Sequence, residues 1–270
     1  MPHFQRDGIA FHYRDTGYGV PFVFQHGLGG DAAQTFGLFA PPPGYRLITL
    51  ECRGHGDTRP LGDPDKLSLG VFVDDLCALL DYLALPQVVI GGISMGAAVA
   101  LRLTLRRPER VRGLVLSRPA WLDAPLPPNA ALYPVIARLI REHGAAGGLE
   151  RFTNSAEYRE IERTAPDAAR SLRGQFTHPR AEETVAKLER IPRDTPSRDR
   201  REWATITVPT LILANRQDPV HPFEYGEVMA QIIPRAQFRE LTSKSVDAER
   251  HARETQAFIE SFLLQHTPPS

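Results

Sequence analysis

Residues 88–99 read Val88-Val89-Ile90-Gly91-Gly92-Ile93-Ser94-Met95-Gly96-Ala97-Ala98-Val99. An apolar run of strand length ends in Gly-x-Ser-x-Gly, and a second apolar run of helix length, Met95 to Arg106, leaves it. Gly and Ser are common, so the five-residue pattern alone says little. Its place between a strand and a helix says more. A serine at so abrupt a reversal is forced into a strained backbone, with its hydroxyl at the positive end of a helix. Glycines two before and two after it leave room for the turn. The stretch predicts a nucleophile elbow with Ser94 at its tip.

Working outward, short apolar runs recur on both sides: 21–25, 46–50, 113–116 and 210–214, with a more mixed run over 236–241. Most are apolar throughout rather than alternating, as in strands covered on both faces of a parallel sheet. Helical patterns lie between them. Phe72, Leu76, Leu79, Leu80 and Leu83 form one face. A last helix starts after Asp247, a suitable N-cap, with Thr255, Phe258, Ile259, Phe262 and Leu263 on one side. Alternating strands and helices predict an α/β fold with a doubly wound, mostly parallel sheet. Residues 3–14 predict an antiparallel edge hairpin turning at Asp7-Gly8. Residues 121–205 carry helix-like runs, many Arg and Glu, and no clear apolar strand. They predict a helical cap insertion over the C-terminal ends of the strands, where open α/β sheets bind ligands. The expected division is a core of 1–120 and 206–270 with a cap of 121–205. The tail from Thr267 is expected to fray.

Composition narrows the partners. Lys plus Arg and Asp plus Glu are both 32, so the net charge is zero and neither nucleic acid nor an anionic membrane is expected. No run approaches the ~20 apolar residues of a membrane span. The start, Met-Pro-His-Phe-Gln-Arg-Asp-Gly, lacks the pattern of a secretory leader. Two cysteines, Cys52 and Cys77, stand outside any ligand spacing and are expected to be reduced thiols. A cytoplasmic protein with no metal and no cofactor is the expectation. Gly91, Gly92 and Gly96 do not make the G-x-G-x-x-G of a dinucleotide site.

Taken with Ser94 in its elbow, four other stretches resemble the α/β-hydrolase superfamily over nearly the whole chain. They are His26-Gly27-Leu28-Gly29-Gly30, Arg53-Gly54-His55-Gly56, Pro108-Glu109-Arg110-Val111, and Pro209-Thr210-Leu211-Ile212-Leu213 leading to Asp218. In such a site the oxyanion of acyl transfer is held by fixed amides. One is the amide after the nucleophile, Met95; the resemblance supplies the other, Leu28. His26 is read as holding the loop's shape. The resemblance makes Asp218, in Asp-Pro-Val-His-Pro, the acid that orients an imidazole. Asp123 is the alternative.

The base departs from the family pattern. That pattern places a histidine just after the last strand, where this chain has Thr242-Ser243-Lys244-Ser245. Of nine histidines, His251 keeps the order Ser, Asp, His and is the first candidate for the catalytic base. His221 and Lys244 are the alternatives; a lysine would need burial to lower its pKa. The reading that follows is a serine hydrolase, esterase- or lactonase-like, acting on a small acyl substrate through an acyl-enzyme on Ser94. The other is a ligand-binding member of the fold that has lost its catalytic histidine.

Overall fold

A computed structural model describes residues 2–269. Its eight strands form one sheet: β1 (His3–Arg6), β2 (Ile9–Gly17), β3 (Val20–Gln25), β4 (Tyr45–Leu50), β5 (Val88–Ile93), β6 (Val111–Ser117), β7 (Thr210–Asn215) and β8 (Ala236–Leu241), in the order β1-β2-β4-β3-β5-β6-β7-β8. From β4 to β8 all pairings are parallel, while β1–β2 and β2–β4 are antiparallel. The hairpin turns where Asp7 and Gly8 both take positive φ, 52° and 73°, the geometry of a two-residue turn that matches strand twist. All six residues of β5 and of β7 are buried, which explains their unbroken apolar character.

Nine α-helices accompany the sheet among the described residues: α1 (Ala32–Leu38), α2 (Leu69–Tyr82), α3 (Met95–Arg106), α4 (Leu132–Thr153), α5 (Ala156–Thr164), α6 (Pro166–Thr177), α7 (Ala186–Arg190), α8 (Phe223–Ile232) and α9 (Ala248–His266). None is long and apolar enough to cross a membrane. α3 packs on β3, β5, β6 and α2. Nine of its twelve residues are buried, so it is apolar nearly all round. Asp247 caps α9, accepting from the Arg250 amide at 2.9 Å.

The glycines of the elbow answer to backbone contact. A methyl group on Gly96 would run into the Gln25 carbonyl, and one on Gly92 into the backbone of Gly96. The end of β3, the end of β5 and the first turn of α3 therefore touch backbone to backbone. Gly96→Ala is expected to lose about 3 kcal/mol or more of stability, read as a lower urea midpoint. A midpoint equal to wild type would refute this packing.

α4 to α7 lie between β6 and β7, and polar bonds tie them to the sheet's C-terminal edge. Arg180 donates to the carbonyls of Gly56 and Thr58 at 2.8 and 2.9 Å, and Lys187 to that of Gly54 at 3.2 Å. Arg102 of α3 pairs with Asp194 at 2.9 Å. α4 bends at Gly144 (φ 69°), where Glu182 accepts the Ala145 amide at 2.8 Å. Arg53 ties the edge hairpin to the core. Its buried guanidinium pairs with the buried Asp75 at 2.6 Å and with Asp7 of the hairpin turn at 2.9 Å.

At the C-terminus the expected fraying does not extend to Thr267. That residue is buried, and its carbonyl accepts the Tyr45 hydroxyl at 2.9 Å. An aromatic hydroxyl at the start of β4 holds the chain after α9 in place. Ser270 lies outside the described residues.

Candidate active site

The C-terminal ends of the parallel strands open on a cavity of about 320 Å³, near the lower end for small-molecule pockets. Five of the six contribute, all but β4: Gly27 to Gly29 after β3, Ser94 after β5, Arg118 after β6, His221 after β7 and Lys244 after β8. Tyr133 of α4 and Asp167, Arg170, Ser171 and Gly174 of α6 close the other side.

Ser94 has φ 57° and ψ −114°, a strained conformation for a residue with a Cβ. Its amide continues the β5–β6 ladder, donating to the Ser117 carbonyl at 3.0 Å. Directly after it, Met95 is the first residue of α3, so its amide has no acceptor within the helix.

Two buried histidines shape the glycine loop. The Cys52 amide donates to His26 Nε2 at 3.1 Å, which leaves Nδ1 as the protonated nitrogen, 2.8 Å from the Gly27 carbonyl. That carbonyl and the Leu28 amide belong to one planar trans peptide. By fixing the carbonyl, His26 aims the Leu28 N–H the opposite way. His55 lies behind the loop, with Nε2 2.9 Å from the Leu28 carbonyl and Nδ1 2.9 Å from that of Arg53. Burial holds its pKa well below the ordinary histidine value, so the neutral ring donates to one of the two.

The loop after β7 holds Asp218 and His221 together. The Asp218 side chain folds over its own turn, Oδ1 accepting the amides of Val220 and His221, each at 3.2 Å. Oδ2 takes three donors: His221 Nδ1 at 2.9 Å and Arg118 Nε and Nη2 at 2.9 and 2.6 Å. Burial alone would raise this carboxyl's pKa, but His221 and the Arg118 guanidinium hold it well below the usual carboxylate range. Burial lowers the pKa of His221; Asp218 opposes the shift and Arg118 adds to it. With Nδ1–H donated to a carboxylate, Nε2 is left as a lone pair. It is buried and without a hydrogen-bond partner among the described residues. No hydrogen bond joins it to Ser94 there. Asn129 steadies the turn, donating to the Val220 carbonyl at 2.7 Å.

His251, expected from chain order to meet Asp218, is placed elsewhere. It is buried on α9 with Nδ1 2.7 Å from the Thr242 carbonyl, and it does not line the cavity. One turn into the helix, the ring reaches back to the end of β8 instead of crossing to β7, and Asp218 is already occupied. Asp123 also sits outside the cavity, paired with Arg200 at 2.6 Å. Arg118 escaped the sequence reading. The signal available was a charge directly after the apolar β6, at the edge where the site lies. Among the described residues no cluster of three or more His, Cys, Asp and Glu is placed to hold a metal ion.

A sequence profile for the alpha/beta hydrolase fold matches residues 20–245, more than half of the chain. The chain belongs to the α/β-hydrolase fold family. Within the family it is 28% identical to 2-hydroxymuconate semialdehyde hydrolase of Pseudomonas putida, over 98% of this chain and 95% of that one. Two solved structures superpose along nearly their whole length. The enol-lactonase from Burkholderia xenovorans LB400 gives a TM-score of 0.72 at 24% identity, covering 97% of this chain and 99% of that one. A thermophilic esterase from Thermogutta terrifontis gives 0.70 at 26% identity, covering 98% and 97%. Hydrolases thus recur among the relatives of this α/β-hydrolase chain.

Proposed function

We propose that this protein is a serine hydrolase that cleaves a small ester or lactone through an acyl-enzyme on Ser94. The observation that carries the reading is the His221–Asp218 pair on the cavity that Ser94 lines. Ser94 Oγ attacks the substrate carbonyl and its proton passes to His221 Nε2. Asp218 holds the ring in the tautomer that leaves this nitrogen basic. The amides of Leu28 and Met95 hold the oxyanion. Collapse of the tetrahedral intermediate releases the alcohol, which takes the proton from His221. Water, deprotonated by the same nitrogen, then frees the acid and restores Ser94. In apo enzymes the serine–imidazole bond is often long and tightens with substrate bound. We assign the base to His221 in preference to His251, whose Nδ1 lies against the Thr242 carbonyl, and to Lys244. Residues 121–205 act as a cap over the core of 1–120 and 206–270, supported by the α4 and α6 side chains on the cavity.

The test is intact mass after treatment with a fluorophosphonate probe. One adduct is expected on the wild type and none on Ser94→Ala. A folded wild-type protein that takes no adduct would sink the reading and leave a ligand-binding member of the fold.

A further inference from the structure

Lys244 stands out among the charged groups of the cavity. Three cations line it, Arg118, Arg170 and Lys244. Arg118 is bonded to Asp218 and also lies 3.5 Å from Asp167. Arg170, mostly exposed at the rim, lies 3.7 Å from the same Asp167. Two carboxylates therefore face three cations, and the one left over is Lys244. Its ammonium makes no hydrogen bond and no ion pair among the described residues, although the side chain is partly buried. Burial, Arg118 and Arg170 push its pKa down, with Asp167 and Asp218 opposing. A partly desolvated ammonium on a cavity wall is complementary to an anion.

We propose that Lys244 receives a carboxylate borne by the substrate, so that the preferred substrates are small acidic esters or lactones, such as half-esters of short dicarboxylic acids. The proposal rests on the serine-hydrolase reading for the bond that is cut, but not for the anion site. An anion at Lys244 balances the surplus charge, and the small cavity keeps its carboxylate and its ester within one short chain of each other. Lys244 is a binding residue here and takes no part in proton transfer.

The test compares monomethyl glutarate with dimethyl glutarate, in which a methyl ester replaces the carboxylate that Lys244 would meet, by acid release at constant pH, with the rate for the diester halved to allow for its two equivalent esters. The wild type is expected to favour the half-ester in kcat/KM, mainly through KM. Lys244→Met is expected to reduce that preference about 30-fold or more, and Lys244→Arg to keep most of it. An undiminished ratio in Lys244→Met overturns the proposal. So does an equal fall for both esters that arginine fails to restore. Glutarate binding to Ser94→Ala, measured by calorimetry with and without Lys244→Met, separates the two readings. Lys244-dependent binding in a protein that neither labels nor hydrolyses keeps the anion site and removes the hydrolase. Normal probe labelling with no glutarate binding and no preference for the half-ester does the reverse.

Discussion

Ser94→Ala is expected to lower kcat/KM for an ester substrate by about 10⁴-fold or more, because it removes the oxygen proposed to attack. The companion substitution Ser94→Gly is expected to be equally inactive but more stable. At φ 57° and ψ −114° a Cβ costs about 1–3 kcal/mol, and glycine removes that cost. Part of the gain is lost because glycine leaves the unfolded chain freer, by about 0.4–1 kcal/mol. The net expectation is about 1 kcal/mol, seen as a higher urea midpoint at an unchanged slope. Alanine keeps the Cβ and should not show the gain. A glycine variant no more stable than the alanine one would mean that the elbow stores no strain.

His221→Gln is expected to cost about 10²–10⁴-fold in kcat/KM, the range for loss of a general base, while His251→Gln stays near wild type. The reverse ranking would return the base to His251, and a loss confined to Lys244 variants would move it there. The pH profile gives a second reading. A base works unprotonated, so kcat/KM falls as pH drops through its pKa. Burial places His221 below the ordinary 6.5, and the acid limb should lie there too. The charged groups around it are Asp218, Arg118 and Asp167, of which Arg118 is the one that pushes down. Arg118→Gln should therefore move the acid limb upward. A limb that stays in place would separate Arg118 from the base.

Most of the fold was legible because the strands of a covered parallel sheet have no wet face. β5 and β7 are buried at every position, and their sequences carry no alternation to mislead. Asp7-Gly8 and Asp247 were legible for local reasons, a turn and a cap needing no knowledge of the rest. In the candidate site, geometry was readable only where one segment decides its own shape, as in the backbone of the elbow at Ser94. Arg118 meets Asp218 because β6 and β7 are neighbours in the sheet, a fact of strand order that no local pattern carries. His251 shows a related effect. Chain order gave it the rank of a base, but a ring's direction depends on its neighbours, and here Nδ1 lies 2.7 Å from the Thr242 carbonyl. Lys244 drew notice by standing where a histidine was expected; that its ammonium has no partner among the described residues depends on where the neighbouring carboxylates are committed.

Asp218 and His221 meet inside a single turn of chain. Their encounter does not wait on the arrival of a distant strand, as a partnership between two separate loops would. In the proposed mechanism only the serine has to be brought from afar. With His221 as the proposed base, the connection between β8 and α9 would be released from proton transfer, and its length and composition could drift without disarming the imidazole. Transplanting residues 218–222 as a block into a relative with a compatible strand end would carry carboxylate and ring together, already in register.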